Sequence, residues 1–433
     1  KFMAVYDVPN AALAALDGSG RLIHCAGLTN LSLYHDKRLQ PAWAGPHSSF
    51  RVGSVSKTFT AWAIMKLADL GIVPDMQALL RGYVDLQRFP RAVALGLVSR
   101  ELNPLSGPRR QAAWRRDERR DDITLAQLLT HRGGWFDTGY EEVQPPDGEP
   151  IVGGVYPDVL ASDFKGNPGN MDKGISRFDA EIAATNRATW PVTHDHMLRY
   201  FNLWPLAFKP GTHYSYSNLG YWMLGRVVES ASCRSYESFL REALLRPLGM
   251  RDTRVGPDLS TDRGVGEVPV FGSNWPGGGA GTLPSRSQSF QDAAGSYDAT
   301  DLEDYEPYAQ RRLRLLDATG GWISSAYDLA LYMRETFYRQ SLLEHNVWYR
   351  EMLRFQAMRS AEDGMGYGWE SGGSQGQGAW HKTGHLDGGA AEVAFEGTSR
   401  ASRNLSFIVM HNRWKLTGDT NVDDEVDHEM RSY

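Results

Sequence analysis

Residues 51–58 read RVGSVSKT, and the chain runs on from Lys57 as KTFTAWAIMKLADLG to Gly71. A helix over this run is apolar on most sides, which implies burial in a core, and Gly71 is suited to stop it. Ser54 opens that helix, and residues three apart share a helix face. Ser54 and Lys57 therefore point the same way from a rigid element. A serine at a helix start has its own backbone N–H and the positive end of the helix dipole beside it, an arrangement that stabilises an oxyanion. Serine is a weak nucleophile until a base or a cation acts on it, and Lys57 can supply either. The plainer alternative is an N-cap serine followed by a solvated lysine. The same spacing recurs at Ser162 and Lys165, but KGNPGN follows immediately and cannot continue a helix, so only the first copy has a fixed geometry.

The surrounding chain limits what such a pair could serve. At 433 residues, with 41% hydrophobic and 23% charged residues, it can hold a large core in one elaborated fold or in two or three domains. The net charge of -6 argues against a nucleic-acid partner. The basic run from Arg109 to Arg120 carries its own acids and reads as a solvated face. No stretch approaches eighteen uninterrupted apolar residues, so no membrane span is expected. Cys25 and Cys233 form no disulfide framework and no metal-ligand spacing, and their pairing stays open. The chain begins at Lys1, consistent with a removed export signal or with trimming; a periplasmic or secreted location is favoured over a cytoplasmic one.

Strand signals sit at the two ends. NAALAALDGSGRLIHCAGLTN from Asn10 is two apolar stretches around the hairpin turn Asp17-Gly18-Ser19-Gly20, while GMGYGWE from Gly364, GGAAEVAFEG from Gly388 and LSFIVMHNRW from Leu405 read as short strands. NVDDEVDHEMRSY is expected to form a closing helix. Between the ends, residues 57–71, 124–131, 218–229 and 326–337 have helical patterns. The expectation is an α+β fold: an antiparallel sheet flanked by helices, with residues 1–50 and 310–433 supplying the sheet and 51–309 an inserted, mainly helical region, all one catalytic unit. Long loops at 144–175 and 272–301 read as functional or mobile segments. The glycine cluster at 277–281 lacks the strand and helix that a phosphate loop needs.

Two further elements change the weight of the Ser54 pair. Tyr216-Ser217-Asn218 lies in KPGTHYSYSNLGYW, a loop entering a helix, and Lys382-Thr383-Gly384 lies in WHKTGHLDGG just before an expected strand. A second Tyr-x-Asn, Tyr200 to Asn202, falls inside a helical pattern, where tyrosine serves packing. S-x-x-K, then a hydroxyl-x-Asn, then K-T-G is an ordered set found in serine β-lactamases and penicillin-binding proteins.

The sequence thus resembles the serine β-lactamase superfamily, in its branch of class C β-lactamases, DD-peptidases and family VIII carboxylesterases. ITLAQLLTHRGGW from Ile123, FKPGTHYSYSNLGYWMLGRVVE from Phe208, ATGGWISSAYDLALYM from Ala318 and GMGYGWE from Gly364 extend the likeness over most of the chain. The resemblance implies a cleft between sheet and helical region. It implies Ser54 as acylated nucleophile, Lys57 as its proton partner, and Tyr216 as general base with its phenol acidified by Lys57 and Lys382. It further implies backbone donors from Ser54 and His385 as the oxyanion hole. Asn218 would bond Lys57 or the substrate, and Thr383 and Gly384 would line the substrate site. No cofactor is implied.

Three departures bear on the substrate. The interval from Lys57 to Tyr216 is long, so insertions are expected near 75–121 and 136–190. His385 stands where many relatives have a small residue. Loop tryptophans, Trp135, Trp204 and Trp275, hint at an aromatic substrate surface. His381 and His385 have a zinc-like spacing on a helix, but the glycines around them argue for strand and turn, where four residues separate the rings by about 13 Å; no metal is expected. Thr193-His194-Asp195-His196 reads as a helix start capped by Thr193 or Asp195.

The expected activity is hydrolysis of an ester or amide through an acyl-serine, with a small-molecule or short-peptide substrate and ester cleavage favoured. A β-lactamase or D-amino-acid peptidase or amidase is the alternative, then an acyltransferase, and from another class a sensor that holds its acyl group. Oligomeric state is left open.

Overall fold

The computed structural model describes residues 8–31, 43–87, 117–135, 192–202, 208–259, 262–270, 313–358, 364–371, 379–386, 389–397 and 405–412, with Met3, Ile182 and Leu206 singly. Ser162 and Lys165, both long loops, Trp204, Trp275 and the expected closing helix lie outside the described residues, as do Arg109–Arg116 of the basic run.

The architecture is mixed α/β with an antiparallel sheet, as the patterning predicts. Strands β1 (Asn10–Leu16) and β2 (Leu22–Thr29) form the expected hairpin. Asp17 Oδ1 accepts the amides of Ser19 at 2.9 Å and Arg21 at 3.1 Å, and Gly20 takes φ +76°, the left-handed geometry that a tight turn asks of glycine. Three short strands follow, β3 (Phe50–Arg51), β4 (Arg254–Val255) and β5 (Trp322–Ser324), pairing in the order β3-β5-β4. The remaining strands are β6 (Ala357–Met358), β7 (Gly364–Met365), β8 (Glu370–Ser371), β9 (Ala379–Leu386), β10 (Gly389–Glu396) and β11 (Leu405–His411). Among the described residues the main sheet has eight strands in the order β2-β1-β11-β10-β9-β8-β7-β6.

One expectation about strands needs correction. GMGYGWE is not one strand: β7 and β8 flank a turn closed by Gly366 N–H donating to Trp369 O at 2.9 Å, with Gly368 at φ +80°. A glycine there reverses the chain, where any other residue would be strained. Lys382-Thr383-Gly384 does precede the expected strand, β10, and itself lies within β9, paired with β10 so that Lys382 faces Val393 and Gly384 faces Ala391. Glycine weakens a strand signal in sequence, and here it marks a close backbone approach instead.

Five helices concern the site. Helix α1 (Ser56–Asp69) has every residue but Lys66 buried, and Gly71 follows it at φ +70°, as expected of a C-terminal stop. Helix α2 (Leu125–Leu129) starts with a capping box between Thr124 and Gln127. Helix α3 (His194–Phe201) starts with another, which selects Thr193 over Asp195 as the cap. Helix α4 (Asn218–Ser232) is capped by Ser217, whose Oγ accepts the Gly220 amide at 3.1 Å. Helix α5 (Ala326–Arg334) is capped by Ser325.

Helices α1 and α4 pack against each other in one hydrophobic core that includes Trp62, Trp222, Trp322 and Trp369. Trp135 is in that core too, 2% exposed, so it packs the interior and offers no substrate surface. Tyr200 is likewise fully buried, in keeping with a packing role, and the Asn202 carbonyl accepts from Arg120 at 2.6 Å.

Candidate active site

Ser54 lies on a short 3-10 turn, Gly53–Val55, that leads into α1 rather than on the helix itself. The turn still sets Ser54 one turn ahead of Lys57, whose Nζ donates to Ser54 Oγ at 3.0 Å. Lys57 is fully buried. Its ammonium also donates to Asn218 Oδ1 at 2.6 Å and to the Thr319 carbonyl at 2.7 Å. A buried ammonium needs such partners, and three acceptors around one Nζ fix its position.

Tyr216 arrives from the loop before α4, and its hydroxyl lies 2.6 Å from Ser54 Oγ. Lysine ammonium groups sit on its ring, Lys57 Nζ 4.9 Å and Lys382 Nζ 5.2 Å from the centroid. Ser54, Lys57, Tyr216, Asn218 and Lys382, drawn from positions far apart in sequence, thus converge on one spot. What the sequence did not reveal is that Lys382 carries its own counter-ion: its Nζ is hydrogen-bonded to Glu370 on β8, both buried. His381 Nε2 lies 3.8 Å from the other oxygen of Glu370.

The turn bearing Ser54 is pressed against β9. A Cβ placed on Gly384 would stand 2.0 Å from Val52 O and 2.7 Å from Ser54 N, and one placed on Gly53 would stand 2.5 Å from His385 N. Gly53 also holds φ +50°. Only glycines permit this seam, which brings the amides of Ser54 and His385 to the same place. β8 pairs β9 only at Trp380 and His381, so from Lys382 onward that edge of β9 is turned to the Ser54 loop rather than to β8. Lys382 and Gly384 are on the buried face of β9; Thr383 and His385 are half-buried on the other, Thr383 opposite Glu392.

A second residue absent from the expected set is His131, buried behind Tyr216 with ring centroids 4.4 Å apart. Burial, then the ammonium groups of Lys382 and Lys57, hold its imidazole well below the ordinary range. Both effects favour its neutral form. The segment TLAQLLTH was legible as a helix, but nothing in it pointed to a tyrosine 85 positions away.

Away from this spot, His194, Glu229 and Asp317 bring ligand-type atoms within 4.8 Å of one another. Arg226 already occupies their midst, 2.7 Å from Asp317 and 3.1 Å from Glu229, and supplies the positive charge there. Burial foremost lowers His194 to about 4, Asp317 opposing it and Arg226 adding to it. Asp317 Oδ1 accepts the Ala318 amide at 2.7 Å, which anchors the loop whose Thr319 carbonyl holds Lys57.

Comparison with known proteins agrees with the fold. A class C β-lactamase structure superposes with a TM-score of 0.61 at 15% identity, covering 99% of this chain and 92% of that one. A penicillin-binding protein from Bacillus halodurans gives 0.57 at 17% identity, covering 100% and 99%. At such identities the likeness concerns the fold. In sequence, the chain is 25% identical over 234 residues to a probable hydrolase, M10, of a Phoma species, covering 52% of this chain and 32% of that protein. It is 35% identical over 68 residues to the D-alanyl-D-alanine-carboxypeptidase/endopeptidase AmpH of Escherichia coli, covering 16% and 17%. The matched parts span a third or less of these relatives' own lengths. The model of the Beta-lactamase family matches residues 1–430, nearly the entire chain. With the family's fold around a Ser54–Lys57–Tyr216–Lys382 cluster, this chain belongs to the β-lactamase family.

Proposed function

We propose that the protein is a serine hydrolase that cleaves a small ester or amide through an acyl-Ser54 intermediate. The observation that carries the reading is the position of Ser54 Oγ, 2.6 Å from the Tyr216 hydroxyl and 3.0 Å from Lys57 Nζ. Those distances lie within proton-transfer reach. Tyr216, as phenolate, takes the Ser54 proton while Oγ attacks the substrate carbonyl carbon. The carbonyl π electrons move to oxygen, held by the Ser54 and His385 amides. Collapse of the tetrahedral species expels the leaving group, which takes the proton from Tyr216. Water then enters; Tyr216 removes its proton, hydroxide adds to the acyl carbon, and collapse returns the proton to Ser54 Oγ with release of the acid.

Lys57 and Lys382 on the Tyr216 ring favour the phenolate, and Lys57 holds Oγ in line. Glu370 qualifies the role of Lys382. A substrate carboxylate must compete with Glu370 for that lysine, whereas an uncharged ester need not, which supports ester cleavage as the first reading. The second reading, a D-amino-acid peptidase, rests on the carboxypeptidase AmpH among the relatives and on the intact Lys382-Thr383-Gly384. A periplasmic or secreted location suits either. Among the described residues, no helix is long and apolar enough to cross a membrane.

The test sets p-nitrophenyl acetate, a chromogenic cephalosporin and a peptide ending in D-Ala-D-Ala side by side, with intact-protein mass spectrometry for the acyl adduct. Turnover of the ester above the other two, with a transient adduct lost in Ser54→Ala, supports the first reading. A cephalosporin or peptide efficiency above every ester moves the assignment to the second, and no adduct with any of them removes both.

A further inference from the structure

We propose that His131 is the positioning residue for Tyr216, clamping the tyrosine from both flanking amides and from its ring face. The inference rests on the reading of Tyr216 as the base at Ser54.

The clamp is made of three contacts. The Ser215 N–H donates to the His131 carbonyl at 2.9 Å, and the Ser217 N–H donates to His131 Nδ1 at 3.0 Å. One residue therefore holds the backbone on either side of Tyr216. The imidazole also lies against the Tyr216 ring, centroids 4.4 Å apart and planes 31° apart. Behind it, Tyr221 packs at 4.9 Å and Tyr214 meets it edge-on at 5.9 Å. Tyr221 is itself tied down, its hydroxyl donating to Leu129 O at 2.8 Å. The clamp thus connects the end of α2 to the loop that delivers the base.

Backbone geometry gives an independent indication that the side chain matters. His131 stands just past α2 at φ +56°, where helices commonly end on glycine. Glycine would relieve the strain, but it would remove the acceptor for Ser217 and the surface behind Tyr216. Histidine at this position fits a requirement for the side chain.

Protonation state matters for the same reason. Nδ1 accepts the Ser217 amide only in the neutral imidazole whose proton is on Nε2. The charged groups acting on the ring are Lys382, Lys57 and Glu370, the lysines opposing protonation and Glu370 favouring it more weakly. A protonated ring would lose the Ser217 contact and put a third cation beside Tyr216.

A displaced base predicts a loss in kcat more than in KM, and misplacement on the ångström scale lowers rates about 10²-fold. The experiment measures p-nitrophenyl acetate hydrolysis by wild type, His131→Leu, His131→Asn, Tyr216→Phe and the two double variants. Leucine removes the acceptor and resists positive φ; asparagine tolerates that φ and offers an oxygen acceptor. We expect a kcat loss of about 10²-fold in His131→Leu, most of it restored in His131→Asn, and under about threefold further loss from either when Tyr216 is already Phe. If leucine prevents folding, the asparagine cycle stands alone, with a several-fold kcat loss that vanishes in the Tyr216→Phe background. Losses that multiply fully across the two sites, or a wild-type kcat in folded His131→Leu, overturn the inference while leaving the base assignment intact. A near-normal Tyr216→Phe overturns the base assignment first, and the clamp with it.

Discussion

The hydroxyl of Tyr216 lies 2.6 Å from Oγ of Ser54 across 162 positions of sequence, while Lys57, three residues from that serine, approaches it no closer than 3.0 Å. The tyrosine, brought in by the loop before α4, is the nearer of the two to Oγ, in keeping with the base role proposed for it. Lys57 is shared among three acceptors, which suits the proposed role of a fixed charge better than that of a base.

Ser54→Ala is expected to abolish turnover of any substrate the enzyme acylates. Ser56→Ala is the control: Ser56 Oγ is buried and accepts the Trp322 amide at 3.3 Å, away from the Ser54 oxygen. Its loss leaves that amide without its acceptor, at about 1 kcal/mol of stability, with the rate largely kept. Chemical denaturation and initial rates on one ester separate the two effects.

The base assignment predicts opposite shifts from the two members of one ion pair. A phenolate base is active when deprotonated, so the rate rises with pH through its titration. Lys382→Met removes a cation near the ring and leaves Glu370 uncompensated, which disfavours the phenolate and moves that limb to higher pH. Glu370→Gln removes an anion and moves it to lower pH. Tyr216→Phe lowers the rate by about 10²-fold or more. The check is the pH dependence of kcat/KM for all four proteins; a limb that does not move in either charge variant returns the base role to Lys57.

Gly384→Ala tests the seam between β9 and the Ser54 turn. The added methyl would stand 2.0 Å from Val52 O, against backbone rather than a yielding side chain. Strand and turn must separate, so we expect a stability loss of about 1–3 kcal/mol and a rate loss larger than that of most surface variants near the cleft. Thermal unfolding with kcat for the same ester would reveal a variant that stays stable and active, and such a variant would mean the seam is slack.

Asp69 predicts how the fold responds to acid. Burial alone would raise its carboxyl, but the Lys66 ammonium, the amides of Glu344 and His345 and the His345 ring outweigh burial and bring it down to about 2. A carboxyl depressed on folding stabilises above its unfolded value near 3.9, and that contribution, on the order of 2 kcal/mol, is lost as pH falls toward 2. Asp69→Asn should therefore be less stable than wild type at pH 5 and approach it near pH 2. Denaturant unfolding at several pH values measures the gap, and a gap independent of pH would contradict the assignment.

Much of the site was legible because its elements have local causes. The helix behind Ser54 shows in its apolar run, the start of α4 shows in the loop that enters it at Tyr216-Ser217-Asn218, and the order of Ser54, Tyr216 and Lys382 shows along the chain. The parts that escaped reading depend on tertiary approach. The Thr319 carbonyl that receives Lys57 is a backbone group with no sequence signature. Glu370 looks like any strand-edge acid until β8 pairs with β9 and faces it toward Lys382. β4 and β5, two and three residues long, are too short for alternation to be seen. The resemblance named the amide of His385, but the close approach of Gly53 and Gly384 that brings it to Ser54 had no sign in the sequence.

The sheet order carries one more implication. β11 lies between β1 and β10, so that Ala11 pairs with His411 and Ala390 pairs with the same residue from the other side. Among the described residues the β1–β2 hairpin joins the rest of the sheet through β11, about four hundred residues further along the chain, and a nascent chain halted before Leu405 would hold Ser54, Tyr216 and Lys382 without the strand that joins the hairpin to β10. Contacts spanning four hundred residues form slowly, because the loop must close before any of them is rewarded. The sheet therefore closes only once β11 has been made, and the apolar hairpin has to be kept from other partners until then.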